Sequence, residues 1–110
     1  MDCIFCRIIA GEIPSDKVYE DEQILAFRDI QPQAPVHVLV VPKSHIAGAA
    51  ALTAESASVV AHIFEKIPEI AEQLGLSDFR VVTNNGESAG QTVHHLHFHI
   101  LGGRTLGAMG

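Results

Sequence analysis

Tryptophan is absent from this chain, tyrosine occurs once and cysteine twice in 110 residues. No apolar run approaches the ~20 residues that a membrane-spanning helix needs, so no membrane partner is expected. Met1-Asp2-Cys3 is not a basic region followed by a long apolar stretch, so no secretory signal is expected and the protein is placed in the cytoplasm. Basic residues are scarce, 7 Lys and Arg against 13 Asp and Glu, for a formal net charge of -6. The deficit is even: 4 against 7 in residues 1–53, and 3 against 6 in residues 54–110. With no basic block, nucleic acid is not expected as a partner, although a small anion held by local donors still fits. Low-complexity tracts and solenoid-period repeats are also missing. The length allows one domain, residues 1–110, burying roughly 65% of its unfolded surface. Within it, residues 102–110 read as a tail. Apolar residues at 47% and charged residues at 18% are ordinary for a globular chain.

The two cysteines, Cys3 and Cys6, form C-x-x-C. In a reducing compartment a structural disulfide is not expected. A thioredoxin-type redox pair needs a strand before it, and nothing precedes Cys3 that could supply one. Two readings stay open on spacing alone. The pair is half of a zinc site, or it is two small apolar residues on a short helix with Ile4, Ile8 and Ile9.

Patterning predicts a short helix from Cys3 to Ala10, stopped by Gly11, then strands over Lys17–Glu20 and Ile24–Arg28. Gln31-Pro32-Gln33-Ala34-Pro35 is a loop, because its prolines remove donors and restrict their predecessors. Val36–Val41 is a β-branched interior strand. Thr53–Leu74 is the one long helix, N-capped by Thr53, with Val59, Val60, Ile63, Phe64, Ile67, Ile70, Ala71 and Leu74 at helical spacing on its buried face. Pro68 is expected to kink or split it. Phe79–Thr83 and Val93–Leu101 complete five strands. The fold class is α+β: an antiparallel sheet with one long and one short helix, the helix on one face.

Histidine is the abundance. Seven occur, and four lie between 94 and 99. On a strand His95, His97 and His99 share one face, leaving Leu96, Phe98 and Ile100 for the core. Three imidazoles on one face each need a polar partner, which a purely packed core does not supply. Two chemistries want them. One is a hydrolytic metal centre with three His ligands. The other is nucleophilic attack on phosphorus by a neutral imidazole. No Asp or Glu follows Ser88, which weighs against the metal centre, since metal hydrolases usually add a carboxylate. Just before the histidines, Gly86 and Gly90 permit close backbone approach to an anion, with Ser88, Gln91 and Thr92 as further donors.

The segment His95-Leu96-His97-Phe98-His99-Ile100-Leu101 is similar to the signature of the histidine triad family, three histidines alternating with apolar residues. The resemblance extends to Ile4-Phe5-Cys6-Arg7-Ile8-Ile9, Gly11-Glu12-Ile13-Pro14, Asp29-Ile30, Pro32-Gln33-Ala34-Pro35, His37, Val41-Pro42-Lys43, Asn85-Gly86 and Gly90-Gln91-Thr92-Val93. These look like its Hint branch. The resemblance implies an enzyme, a hydrolase of purine nucleoside 5′-phosphoramidates, and a sheet extended across a homodimer. It implies His97 as the nucleophile, giving a nucleotidyl-histidine intermediate. His99 is implied at phosphate and leaving group, with His95 and His37 completing the catalytic cluster. Phe27 and Ile30 are placed beside the base and Asp29 on the ribose. Asn85, Gly90, Gln91 and Thr92 are placed around phosphate. Some relatives carry a structural zinc, whose ligands match Cys3, Cys6, His45 and His95; no catalytic cofactor is implied. A nucleotide-binding regulatory module with incidental activity is the alternative.

Overall fold

The computed structural model describes residues 3–109, so residues 1, 2 and 110 of the expected domain and tail lie outside it. Helix α1 spans Ile4–Ile9, capped by Cys3, whose Sγ accepts the Cys6 amide at 3.4 Å. Strands β1 (Lys17–Glu20), β2 (Ile24–Arg28) and β3 (Val36–Pro42) follow. Helix α2 covers Ala57–Gln73, and β4 (Phe79–Val82) and β5 (Phe98–Gly102) close the chain. The five strands form one antiparallel sheet in the order β1-β2-β3-β5-β4. Among the described residues no helix is long and apolar enough to cross a membrane.

Period-two alternation divides the apolar residues between two faces. Ile24 and Ala26 of β2, Val38 and Val40 of β3, and Phe98 and Ile100 of β5 meet the Val59, Ile63, Ile67 and Ile70 stripe of α2. Leu25, Phe27, Leu39 and Val41 point the other way, onto Phe5 and Ile8 of α1. The long helix covers one face, as expected for this α+β class, and the short helix lies on the other. The near-continuous apolar runs of β2 and β3 required cover on both sides, and the short helix supplies part of it.

The long helix starts at Ala57, not near Thr53. Thr53 and Ser56 exchange side-chain bonds with each other's amides, at 2.9 and 3.1 Å, and the Ala57 amide bonds the Thr53 carbonyl at 2.9 Å, so Thr53 does cap the turn that leads directly into α2. Pro68 does not split α2. The carbonyl it cannot bond belongs to Phe64, itself half-exposed, where water can serve. His62, on the same helix, accepts no core role. It bonds Asp21 at 2.6 Å, and Tyr19 donates to the same carboxylate at 2.8 Å, tying the β1–β2 turn to α2.

The expected strand over Val93–Leu101 is also corrected, since β5 begins only at Phe98. The β3–β5 pairing stops at Val40↔Phe98. Beyond it comes Pro42, which has no N–H to donate to a ladder. The chain upstream leaves the sheet: the Leu96 amide bonds the Ile46 carbonyl and the His95 ring bonds the Pro42 carbonyl.

Candidate active site

Because His95 and His97 precede the ladder, the three triad rings do not share a face. They divide between two environments, and main-chain partners fix their tautomers. A carbonyl can only accept, so His95 Nε2, 2.8 Å from the Pro42 oxygen, carries that ring's proton. His97 Nδ1 lies 2.7 Å from the His95 carbonyl and is protonated by the same logic, which leaves its Nε2 lone pair bare. An amide can only donate, so Gln33 N–H fixes His37 Nδ1 as an acceptor at 3.0 Å. His37 then donates from Nε2 to His99 Nδ1 at 2.8 Å, and His99 keeps its proton on Nε2. Two backbone carbonyls and one amide thus leave a lone pair on His97 and a donor on His99. Their rings stand 5.0 Å apart.

Burial lowers the His99 pKa to about 4, with the nearby His97 and His37 adding to the effect and Asp29 opposing it. Burial also lowers His37, against the field of Asp29, whose Oδ2 lies 3.5 Å from His37 Nε2. Both rings are thereby held neutral near pH 7.

His37, His97 and His99 line a cavity of about 490 Å³, within the range of small-ligand sites. Ile4, Phe5 and Ile8 of α1, with Ile13, Phe27, Leu39 and Val93, make an apolar wall. Asp29, Gly90 and Thr92 add polar edges. Ile30 belongs to the lining while 94% exposed, at the mouth. Phe27 is buried and packs edge-on to Phe5, so it is core and cavity wall together. The sequence reading missed Phe5, Ile8, Ile13 and Leu39 as site residues, although the first three fall in segments already singled out. Their apolar character read as packing, and only the fold shows which packed residues border a cavity.

Several expected site residues have other work. Gln91 is buried and its amide is fully used: Oε1 accepts Gly86 N–H at 2.8 Å, and Nε2 donates to the Ala47 and Val93 carbonyls at 2.7 and 3.0 Å. It braces the loop and does not face the cavity. Asn85 Oδ1 accepts the Ala50 amide at 2.9 Å and crowds Gly48, where a Cβ would come within 2.7 Å of it; Asn85 is absent from the lining. The amides of Ala89, Gly90 and Gln91 are spent inside the turn on Gly86 and Glu87 carbonyls, so the expected anion cradle is not formed by them. Gly90, at φ +104°, still turns this loop to the cavity, and the Thr92 hydroxyl has no partner among the described residues. Replacing Gln91 with Leu strands two carbonyls and one amide. We expect it to cost about 2–5 kcal/mol, read as a lower urea midpoint with unchanged slope; a change under 0.5 kcal/mol would contradict the bracing role.

His95 is wholly buried and absent from the lining, so its ring does not border the cavity. Its ring sits in the second environment. Nδ1 is 3.3 Å from Cys3 Sγ and 3.6 Å from Cys6 Sγ, and Cys6 Sγ is 3.3 Å from His45 Nδ1. All four donor atoms lie within 4.8 Å of one another. Sulfur and nitrogen ligands at 2.3 and 2.0–2.1 Å from a tetrahedral zinc stand about 3.6 Å apart, so the donor set fits such an ion. The Pro42 bond to Nε2 also aims the bare Nδ1 at the sulfurs. A three-histidine metal centre does not fit. His95 and His99 belong to separate donor groups, and His97 to neither.

The HIT domain family model matches residues 10–106. An uncharacterized HIT-like protein of Synechococcus elongatus is 53% identical over 106 residues, covering 96% of this chain and 93% of that protein. The purine nucleoside phosphoramidase of Escherichia coli K12 is 43% identical over 110 residues, covering 98% of this chain and 92% of that enzyme. Among solved structures, a HIT family hydrolase from Clostridium thermocellum superposes with a TM-score of 0.94 at 45% identity, covering 98% of this chain and 96% of that one.

Proposed function

The chain belongs to the HIT domain family, and from that premise we propose that it hydrolyses purine nucleoside 5′-phosphoramidates through a nucleotidyl group carried on His97. The observation that carries this reading is the bare Nε2 of His97 in a cavity with an apolar wall on one side and donors on the other. The wall suits a purine; Asp29 suits ribose hydroxyls; the Thr92 hydroxyl and His99 Nε2–H suit phosphoryl oxygens.

The Nε2 lone pair forms a bond to the α-phosphorus as the phosphorus–amine bond breaks. His97 Nδ1–H, held on the His95 carbonyl, stabilises the positive charge that the ring acquires. His99 Nε2–H faces the developing charge and the departing nitrogen, where a preorganised donor is worth most. Water then displaces the histidine from phosphorus. Over the cycle that water gives a hydroxyl to phosphorus and a proton to the amine, and both rings end as they began.

Two further parts belong to the proposal. Cys3, Cys6, His45 and His95 would hold a structural zinc, joining α1 to the histidine segment. A homodimer would form along β4, which is a sheet edge and carries the half-exposed Phe79. The activity is tested by ³¹P NMR of adenosine 5′-phosphoramidate. We expect the phosphoramidate signal to be replaced by AMP, faster than for the cytidine analogue, whose smaller base covers less of the wall. AMP release no faster than without protein would overturn the reading.

A further inference from the structure

The two environments meet in one residue. His95 points its ring into the cysteine cluster, while its main-chain oxygen holds His97 Nδ1 at 2.7 Å. A second connection runs through α1. Phe5 lies between the cluster residues Cys3 and Cys6, and its ring meets His95 at 5.9 Å and His97 at 5.1 Å, the latter at 89°. The His97 ring is thus restrained twice, by a hydrogen bond at Nδ1 and by a perpendicular contact with the Phe5 ring. Both restraints originate in segments that the cluster ties together.

We propose that His95 and Phe5 are positioning residues, through which a divalent cation held by Cys3, Cys6, His45 and His95 sets the direction of the His97 lone pair. The cluster is then part of the catalytic apparatus without touching substrate. No ladder partner holds residues 93–97, since β5 starts at Phe98. Their placement depends on the His95 ring, the Leu96–Ile46 bond at 2.6 Å, the Thr83 hydroxyl on the His97 carbonyl at 2.8 Å and the Gln91 side-chain amide on the Val93 carbonyl at 3.0 Å. Loss of the cation leaves the His95 ring only its Pro42 bond and so loosens one of four anchors, beside a nucleophile for which a displacement of about 1 Å costs about 100-fold. The inference rests on His97 being the nucleophile, and its test includes a readout that does not.

Protein carrying ¹⁵N-histidine is compared zinc-loaded, stripped by chelator under reducing conditions, and reloaded with one equivalent of zinc. The first readout is the His97 Nδ1–H proton. It should be observable and slow to exchange in loaded protein, lost to exchange in stripped protein, and restored by zinc, while amides of β2 and β3 stay protected throughout. The second is the split of kinetic constants. In stripped protein kcat for adenosine 5′-phosphoramidate should fall about 10–100-fold, by more than KM rises. Phe5→Leu should lower kcat in the same way while still binding one zinc; Phe5→Tyr, which keeps the ring, should recover most of it. A ring proton and kcat indifferent to stripping, or a cluster that takes up no zinc, would overturn the proposal. If the ring proton responds as expected but no form releases AMP, positioning stands and the phosphoramidase reading falls.

Discussion

Replacing His97 with alanine is expected to lower turnover of adenosine 5′-phosphoramidate by at least about 10⁴-fold, since loss of a nucleophile removes the covalent route entirely. Binding should survive, because the apolar wall, Asp29 and Thr92 do not depend on this ring. An AMP titration by calorimetry should therefore give a Kd within about threefold of the parent. His99→Gln should be milder, about 10²–10³-fold in kcat, because it removes one donor from a route that still operates. The ordering distinguishes the roles. If His99→Gln were the more damaging, the nucleophile would be misassigned; if both variants kept near-parent rates, the covalent mechanism would be wrong.

Acid is the second large effect. His99 titrates near 4 in the folded protein and near 6.5 once unfolded, and the His37 shift has the same direction. Between those values the unfolded chain binds protons that the native one refuses, so stability falls as pH drops from about 6.5 towards 4. His99 alone accounts for up to about 3 kcal/mol. Asp21 acts lower still: partial burial opposes the shift, but bonds from His62, Gln23, Tyr19 and Ile24 hold its carboxyl well below the usual range. Its contribution is present above about pH 4 and fades below that. Urea midpoints measured from pH 7 to 4 should decline steadily, and His99→Gln should flatten the decline. A midpoint constant over that range would contradict buried neutral rings.

The fold was legible where side-chain periodicity and backbone requirement coincide. Strands β1 and β2, the α2 stripe and the α1 stop at Gly11 all follow from local chemistry. The Val93–Leu101 segment was not, because alternation of His and apolar residues satisfies a strand pattern whether or not a partner strand is present. Pro42 carries the missing signal: without an N–H it ends the ladder and frees its carbonyl for His95. The same limit shaped the site. His97, His99, His37, Phe27, Asp29, Gly90 and Thr92 do meet at one cavity. Gln91 carries donors suited to phosphate, yet the Ala47 and Val93 carbonyls consume them, and Asn85 turns its Oδ1 to the Ala50 amide beside Gly48, since a turn-rich segment must satisfy its own backbone first. Strand alternation alone puts His95 on one face with His97 and His99, whereas the resemblance already groups it with Cys3, Cys6 and His45. The sulfurs of Cys3 and Cys6, some 90 residues earlier, do lie against its ring, which decides between those two placements.

The central claim is the covalent nucleotidyl group on His97. It is tested by mixing enzyme with excess labelled adenosine 5′-phosphoramidate, quenching in alkali within a turnover, and mapping the label by mass spectrometry. The account predicts an AMP adduct on His97, joined through Nε2 because Nδ1 is engaged by the His95 carbonyl. An adduct on any other side chain, or none at times when AMP is already released, would contradict it.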